Sequence, residues 1–227
     1  LFLDFDGTLA PLQANPDTVA LPDPLGEIIP QLNAKLGGAL AIVSGRDIRD
    51  LSSRVPLSVW RAGGHGLETC APDEAAAVDL PSAPDGLSDA IEACLTDIPG
   101  SRMEDKGLVK AVHYRNAPDS GDELIARITK AIKTFPGYKV QAGKMVIEAK
   151  PDAANKGNAI AAMMENPAFA GRIPVMAGDD VTDEDGFARV QALGGFAIKV
   201  GDGPTLAEYR VASTGDIAAW LEALVAS

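Results

Sequence analysis

The sequence predicts an α/β fold: a Rossmann-like parallel sheet whose chain is interrupted by a smaller α+β module. Three observations lead there. Short continuous apolar runs, the pattern of strands buried on both faces, alternate with segments of helical periodicity at both ends of the chain. Those runs end in aspartate, serine or glycine, and open α/β sheets bind ligands at the carboxyl ends of their strands. The rhythm breaks in the middle, where residues 70–84 turn rich in Ala, Pro and Asp.

Taken in order, residues 1–5 read as the first strand. Leu25, Ile28, Ile29, Leu32 and Leu36 share one face of a helix over 24–36. Residues 39–43 form a second strand, Ile48 and Leu51 mark the next helix, and a strand follows at 57–60. This β-α-β-α-β order calls for parallel strands joined by right-handed crossovers. Past the connection, Leu87, Ile91, Cys94, Leu95 and Ile98 have helical spacing, and residues 108–115 alternate as a strand. Leu124, Ile125, Ile128, Ile132 and Phe135 mark a second amphipathic helix. Strands over 138–142 and 145–149, turned through Gly143 and Lys144, close the module as a hairpin. The α/β rhythm resumes with a helix over 155–164, a strand over 173–177, a helix over 182–193, a strand over 196–200 and a helix over 216–225. The expected organisation is a core made of 1–69 and 150–227 with the module 70–149 inserted between.

The net charge of −12 argues against nucleic acid and against an anionic membrane surface, since both need basic patches. It also means that an anionic substrate would need local cations to reverse the field. Cys70 and Cys94 lack metal-ligand spacing and read as small hydrophobes. No apolar run is long enough to span a membrane, no leader is visible, and the absence of an initial Met implies residues before Leu1 in the native protein. A cytoplasmic monomer acting on a small molecule is expected.

Four segments at strand ends carry chemistry. Asp4 and Asp6 sit two apart after the first strand, so both side chains point to one face. They repel each other unless a cation or shared proton intervenes, and a hard divalent metal with oxygen ligands is the simplest answer; solvated aspartates in a turn are the plain one. Ser44-Gly45-Arg46 offers a hydroxyl and backbone N–H groups to a phosphate, or else an ordinary helix N-cap. Lys156-Gly157 opens a helix with a cation that either neutralises a phosphate or aspartate or lies solvated. Gly178 to Asp185 is the densest acidic cluster, suited to metal ligation or to a helix N-terminus; its spacing excludes a helix–loop–helix calcium site.

Together these segments resemble the four motifs of the haloacid dehalogenase superfamily of phosphatases. Gly64-His65-Gly66-Leu67-Glu68, His113-Tyr114-Arg115, residues 145–151 and the Gly-Asp-Asp-x-Thr-Asp-Glu form of the last motif resemble, more closely, the trehalose-6-phosphate phosphatases. The resemblance implies hydrolysis of trehalose 6-phosphate with Asp4 as nucleophile and Asp6 as proton donor and acceptor. It implies phosphate binding by Ser44, Gly45 and Lys156, and Mg²⁺ held by Asp4, the Asp6 carbonyl and Asp179, with Asp180 and Asp183 acting through water or orienting neighbours. The module becomes a cap, with sugar contacts expected from Arg46, Glu68, Lys106, His113, Arg115, Lys144 and Glu148; Arg46 equally fits pairing with an acidic neighbour, and His65 shapes the connection. Alternatives are a phosphatase for sucrose 6-phosphate or a mannosyl phosphate, a phosphomutase and, in a different class, an inactive sugar-phosphate-binding module.

Overall fold

In the computed structural model, which describes residues 1–78, 82–143 and 145–227, the chain forms two compact units. One combines Leu1–Ala76 with Asn155–Ser227, and the other is Ala77–Ala154.

The first unit is built on β1 (Phe2–Leu3), wholly buried at the centre of a seven-stranded sheet. On one side of it lie β2 (Ala41–Val43), β3 (Trp60–Gly63) and β4 (Glu68–Cys70). On the other lie β9 (Val175–Gly178), β10 (Phe196–Val200) and β11 (Tyr209–Val211). Every neighbouring pair is parallel except β3 with β4. Successive side chains of a strand point to opposite faces, so Phe2 and Leu3 seed two separate cores. Leu3 joins Ile42 and Ala177 beneath α1 (Asp23–Lys35), α2 (Ile48–Arg54) and α7 (Thr214–Ala226), which contribute Leu25, Ile29, Leu51, Ile217 and Leu221. Phe2 joins Val43 and Met176 beneath α5 (Lys156–Met164) and α6 (Glu184–Ala192), which contribute Ile160, Met163, Phe187 and Val190. Burying each such side chain contributes about 1.5–3 kcal/mol, so the sheet is most strongly held where helices cover both faces.

The second unit pairs β5 (Arg102–Lys106), β6 (Val109–His113), β8 (Val146–Pro151) and β7 (Tyr138–Gly143), in that spatial order and all antiparallel. Val112, Ile147 and Ala149 pack against Leu87 and Ile91 of α3 (Leu87–Ala93) and against Leu124, Ile128 and Ile132 of α4 (Gly121–Ile132). The pairing register puts Glu104, Lys106, His113, Gln141 and Glu148 on the opposite face.

Several expectations need correction. The third strand begins three residues after position 57, at Trp60, because Arg61, Ala62 and Gly63 continue the strand rather than start a turn. The short strands β4, β5 and β11 were not anticipated; all three lie at sheet edges, and β5 lacks an apolar face in the sequence. The module order is therefore α-β-β-α-β-β. Strand β6 ends at His113, so Arg115 lies beyond it in an exposed turn and does not share its face. Lys144 lies outside the described residues. No helix among the described residues is long and apolar enough to cross a membrane.

Arg61 is fully buried in β3, where a charged residue costs most. Its guanidinium donates to the Ser52 hydroxyl (2.8 Å) and to the carbonyls of Ala71 (2.9 Å) and Glu74 (2.6 Å). It thus fastens the stretch that leaves β4. Arg61→Met should destabilise the protein by about 1–3 kcal/mol, because water only partly replaces these donors. Urea unfolding checks this; an unchanged midpoint would mean the 71–74 stretch is held by other contacts.

Candidate active site

Parallel pairing sets the site. Leu3 is in register with Ile42 on one side and Ala177 on the other, so Asp4 leaves the sheet level with Val43 and Gly178. The Asp4 N–H donates to the Ala177 carbonyl (3.0 Å), holding that position. Asp4 is buried, and its Oδ1 accepts from the Lys156 ammonium at 2.6 Å. Lys156 is the first residue of α5, whose N-cap Asn155 accepts the Asn158 N–H (3.1 Å). The same Asn155 side chain donates to Asp185 of α6 (2.7 Å), tying the two helix starts together. The solvated-lysine reading therefore fails: Lys156 is 2% exposed.

Lys156 also donates to Asp183 Oδ1 at 2.7 Å, while Asp183 Oδ2 accepts the N–H groups of Asp179 (2.9 Å) and Asp180 (3.1 Å). Asp183 is wholly buried and spends both oxygens shaping the loop after β9. One oxygen each from Asp4, Asp179 and Asp183 lies within 4.8 Å of the others. Asp180, expected among the metal residues, is not in this group; its Oδ1 accepts from the Thr182 N–H (2.8 Å) and hydroxyl (2.6 Å), which turns it into the local bend. Gly7 is required on the other side. Its φ is +84°, and a Cβ there would stand 2.1 Å from Asp179 Oδ2.

Of these three carboxylates Lys156 bonds only Asp4 and Asp183, and the electrostatics register the excess of negative charge. Burial pushes the Asp4 carboxyl well above the ordinary range, with Lys156 pulling the other way. Burial, reinforced by Asp183 and Asp180, pushes Asp179 up to about 7. Burial also opposes the Lys156 charge, but Asp183 and Asp4 outweigh it and hold that ammonium firmly protonated. Hard oxygen donors with surplus negative charge fit a divalent cation such as Mg²⁺.

The Ser44 loop meets this edge from β2. Helix α2 is capped by Asp47, which accepts the Arg49 N–H (2.9 Å), so Ser44 is not its N-cap. The Ser44 hydroxyl oxygen accepts the Arg46 N–H (3.1 Å), leaving its own proton to donate. Two backbone bonds clamp the loop to the Gly64–Gly66 turn: Gly64 N–H to Arg46 O (2.6 Å) and His65 N–H to Ser44 O (2.9 Å). His65 adopts φ 57°, and its ring fills the space where a Cβ on Gly45 would sit, 2.6 Å from Cε1. Thr8 Oγ1 is buried with no protein partner among the described residues, in the loop that carries Asp4 and Asp6.

The expected sugar contacts are arranged unevenly. Lys106, His113 and Glu148 share the face of the second sheet opposite α3 and α4, where His113 Nε2 lies 2.6 Å from Glu104 Oε2. Glu68 begins β4 in the first unit, its carboxyl raised by burial and by Asp47. Arg46 does not reach outward as a sugar ligand would; it is engaged with Asp6 and Asp50. Sequence reasoning missed Lys199, buried in β10, whose ammonium donates to the Asp179 carbonyl oxygen. Its signal was there: a lone lysine inside the apolar run Phe196–Val200.

Comparison with known proteins agrees with this geometry. A family model described as trehalose-phosphatase matches residues 2–214. The trehalose-6-phosphate phosphatase of Escherichia coli (strain K12) is 39% identical over 226 residues, covering 97% of this chain and 84% of that protein. The C-terminal domain of C. albicans trehalose-6-phosphate phosphatase has the same fold, with a TM-score of 0.82 at 24% identity over 99% of this chain and 91% of that one. A haloacid dehalogenase subclass IIB sugar phosphatase shares the fold at a TM-score of 0.65 and 13% identity, covering 98% of this chain and 97% of that one. The chain belongs to the trehalose-phosphatase family of phosphoric monoester hydrolases, on a haloacid dehalogenase fold.

Proposed function

We propose that this chain hydrolyses trehalose 6-phosphate to trehalose and inorganic phosphate, with Mg²⁺, through an aspartyl-phosphate on Asp4. The observation that carries the reaction is the buried Asp4–Lys156–Asp183 chain at the carboxyl edge of the sheet. The substrate follows from the E. coli relative, similar over nearly the whole chain. The polar face holding Lys106, His113 and Glu148 supplies charged hydrogen-bonding groups for sugar hydroxyls, and we assign the second unit the cap role on that basis.

Lys156 orients the Asp4 carboxylate for attack on phosphorus. As the new O–P bond forms, the bond to the sugar oxygen breaks, and Asp6 gives that oxygen a proton. Asp6 then takes a proton from the water that displaces the phosphoryl group, restoring Asp4 and releasing phosphate. The Ser44 hydroxyl, the Gly45 N–H and Lys156 bind the phosphoryl oxygens. Mg²⁺ would be held by Asp4, Asp179 and the Asp6 carbonyl, and when bound it supplies positive charge against those oxygens.

Phosphate release from a panel of trehalose, sucrose and mannosyl phosphates tests the substrate. Release should be confined to trehalose 6-phosphate and lost with chelator. Broad release would replace the substrate assignment, and isomerised sugar phosphate without free phosphate would make the protein a mutase. Asp4→Asn should fall to background, and Asp6→Asn should lose about 10²–10⁴-fold in rate.

Metal binding should also show in stability. An unfolded aspartate titrates near about 4, and Asp179 in the fold at about 7. The folded pKa is the higher, so the metal-free fold loses stability as pH rises through that window. A divalent cation removes the penalty. Added Mg²⁺ should therefore raise Tm more at about pH 8 than at about pH 5.5, whereas an equal rise at both would contradict the assignment of Asp179.

A further inference from the structure

We propose that Arg46 is a positioning residue for Asp6, acting through a fixed guanidinium that aims the proton-transferring carboxylate. The inference rests on the role given to Asp6 above. Arg46 Nε donates to Asp6 Oδ2 at 2.7 Å and Nη2 donates to Oδ1 at 2.6 Å, a two-pronged contact that sets both the direction and the plane of the carboxylate. The guanidinium is itself anchored independently of Asp6. Its Nη1 donates to Asp50 Oδ2 (2.7 Å), its Nη2 also donates to the Pro16 carbonyl (2.9 Å), and it stacks 5.5 Å above the centre of the Phe5 ring. Asp50 is steadied in turn by Arg54 of the same helix (2.8 Å), which also donates to the Val19 carbonyl (2.5 Å). The Arg46 backbone is held at both ends, by Ser44 and by Gly64.

This arrangement makes Arg46 a template rather than a sugar ligand. When Asp6 turns to give or take a proton, one prong can open while Asp50, Pro16 and Phe5 keep the guanidinium in place. The carboxylate then returns to the same pose for the second half of the reaction. A lysine at this position would keep the charge but offer no planar fork.

The test uses a series of aryl phosphates from p-nitrophenyl to phenyl phosphate, none of which has a sugar to recognise. A good leaving group departs without a proton, and a poor one needs it. We expect kcat/KM of the wild type to vary little along the series. In Arg46→Met and Arg46→Lys it should fall at least tenfold more for phenyl phosphate than for p-nitrophenyl phosphate. Asp50→Asn should shift in the same direction by less, and Asp6→Asn should set the limit. A merely structural role lowers every substrate alike, so parallel loss overturns the proposal. An unchanged aryl series with a raised KM for trehalose 6-phosphate also overturns it and returns Arg46 to sugar binding. Selective loss in Asp6→Asn without it in the Arg46 variants defeats this proposal alone. No selectivity even in Asp6→Asn defeats the role of Asp6 and the proposal with it.

Discussion

Asp4 and Asp6 stand two residues apart just beyond the end of β1, and the site depends on holding their carboxylates in different surroundings. Asp4 and Asp6 each receive a separate cation from a different element. Lys156 at the start of α5 takes Asp4, and Arg46 from the loop after β2 takes Asp6. Neither cation is local in sequence, so the pairing depends on the parallel register that brings β2 and β9 alongside β1. The environments also differ. Asp4 is buried among carboxylates, whereas Asp6 is partly open with both oxygens held by a guanidinium. Two chemically identical side chains are thereby prepared for different tasks.

The loop after β9 shows the same economy of position. Of its acids, Asp183 turns fully inward and organises both Lys156 and the backbone of Asp179 and Asp180. Lys199 holds the Asp179 carbonyl from the neighbouring strand, and Gly7 leaves room for the Asp179 carboxylate. Asp179 is thus held by Asp183, the N-cap residue of α6, and by Lys199, with Gly7 leaving it room. Such fixed placement suits a carboxylate oxygen that would hold a divalent cation with little reorganisation.

Much of this was legible in the sequence because strand ends in a parallel sheet are marked by a change of residue type. Asp4, Ser44, Lys156 and Asp179 each follow or flank an apolar run, and chain order alone brings them to one edge. What was not legible depended on three-dimensional choices between equivalent residues. Asp180 and Asp183 have the same side chain, and only the turn decides which faces Lys156. Arg46 reads equally as a substrate cation or as the partner of an acidic neighbour until its fork is seen on Asp6. The strands β4, β5 and β11 are short, and Arg102–Lys106 carries four charges in five residues, so burial-based periodicity could not announce it. Helices on one face of the second sheet were readable from spacing, but the polar face opposite emerged only from register.

The central claim is that Asp4, held by Lys156, becomes phosphorylated. The most direct measurement is rapid acid quench of the enzyme with trehalose 6-phosphate carrying a labelled phosphoryl group, followed by peptide mapping. An acid-stable, hydroxylamine-labile label is expected on the peptide containing Asp4, absent in Asp4→Asn and retained in Asp6→Asn. Turnover without any label on that peptide, or a label on Asp6 or Asp179, would contradict that claim.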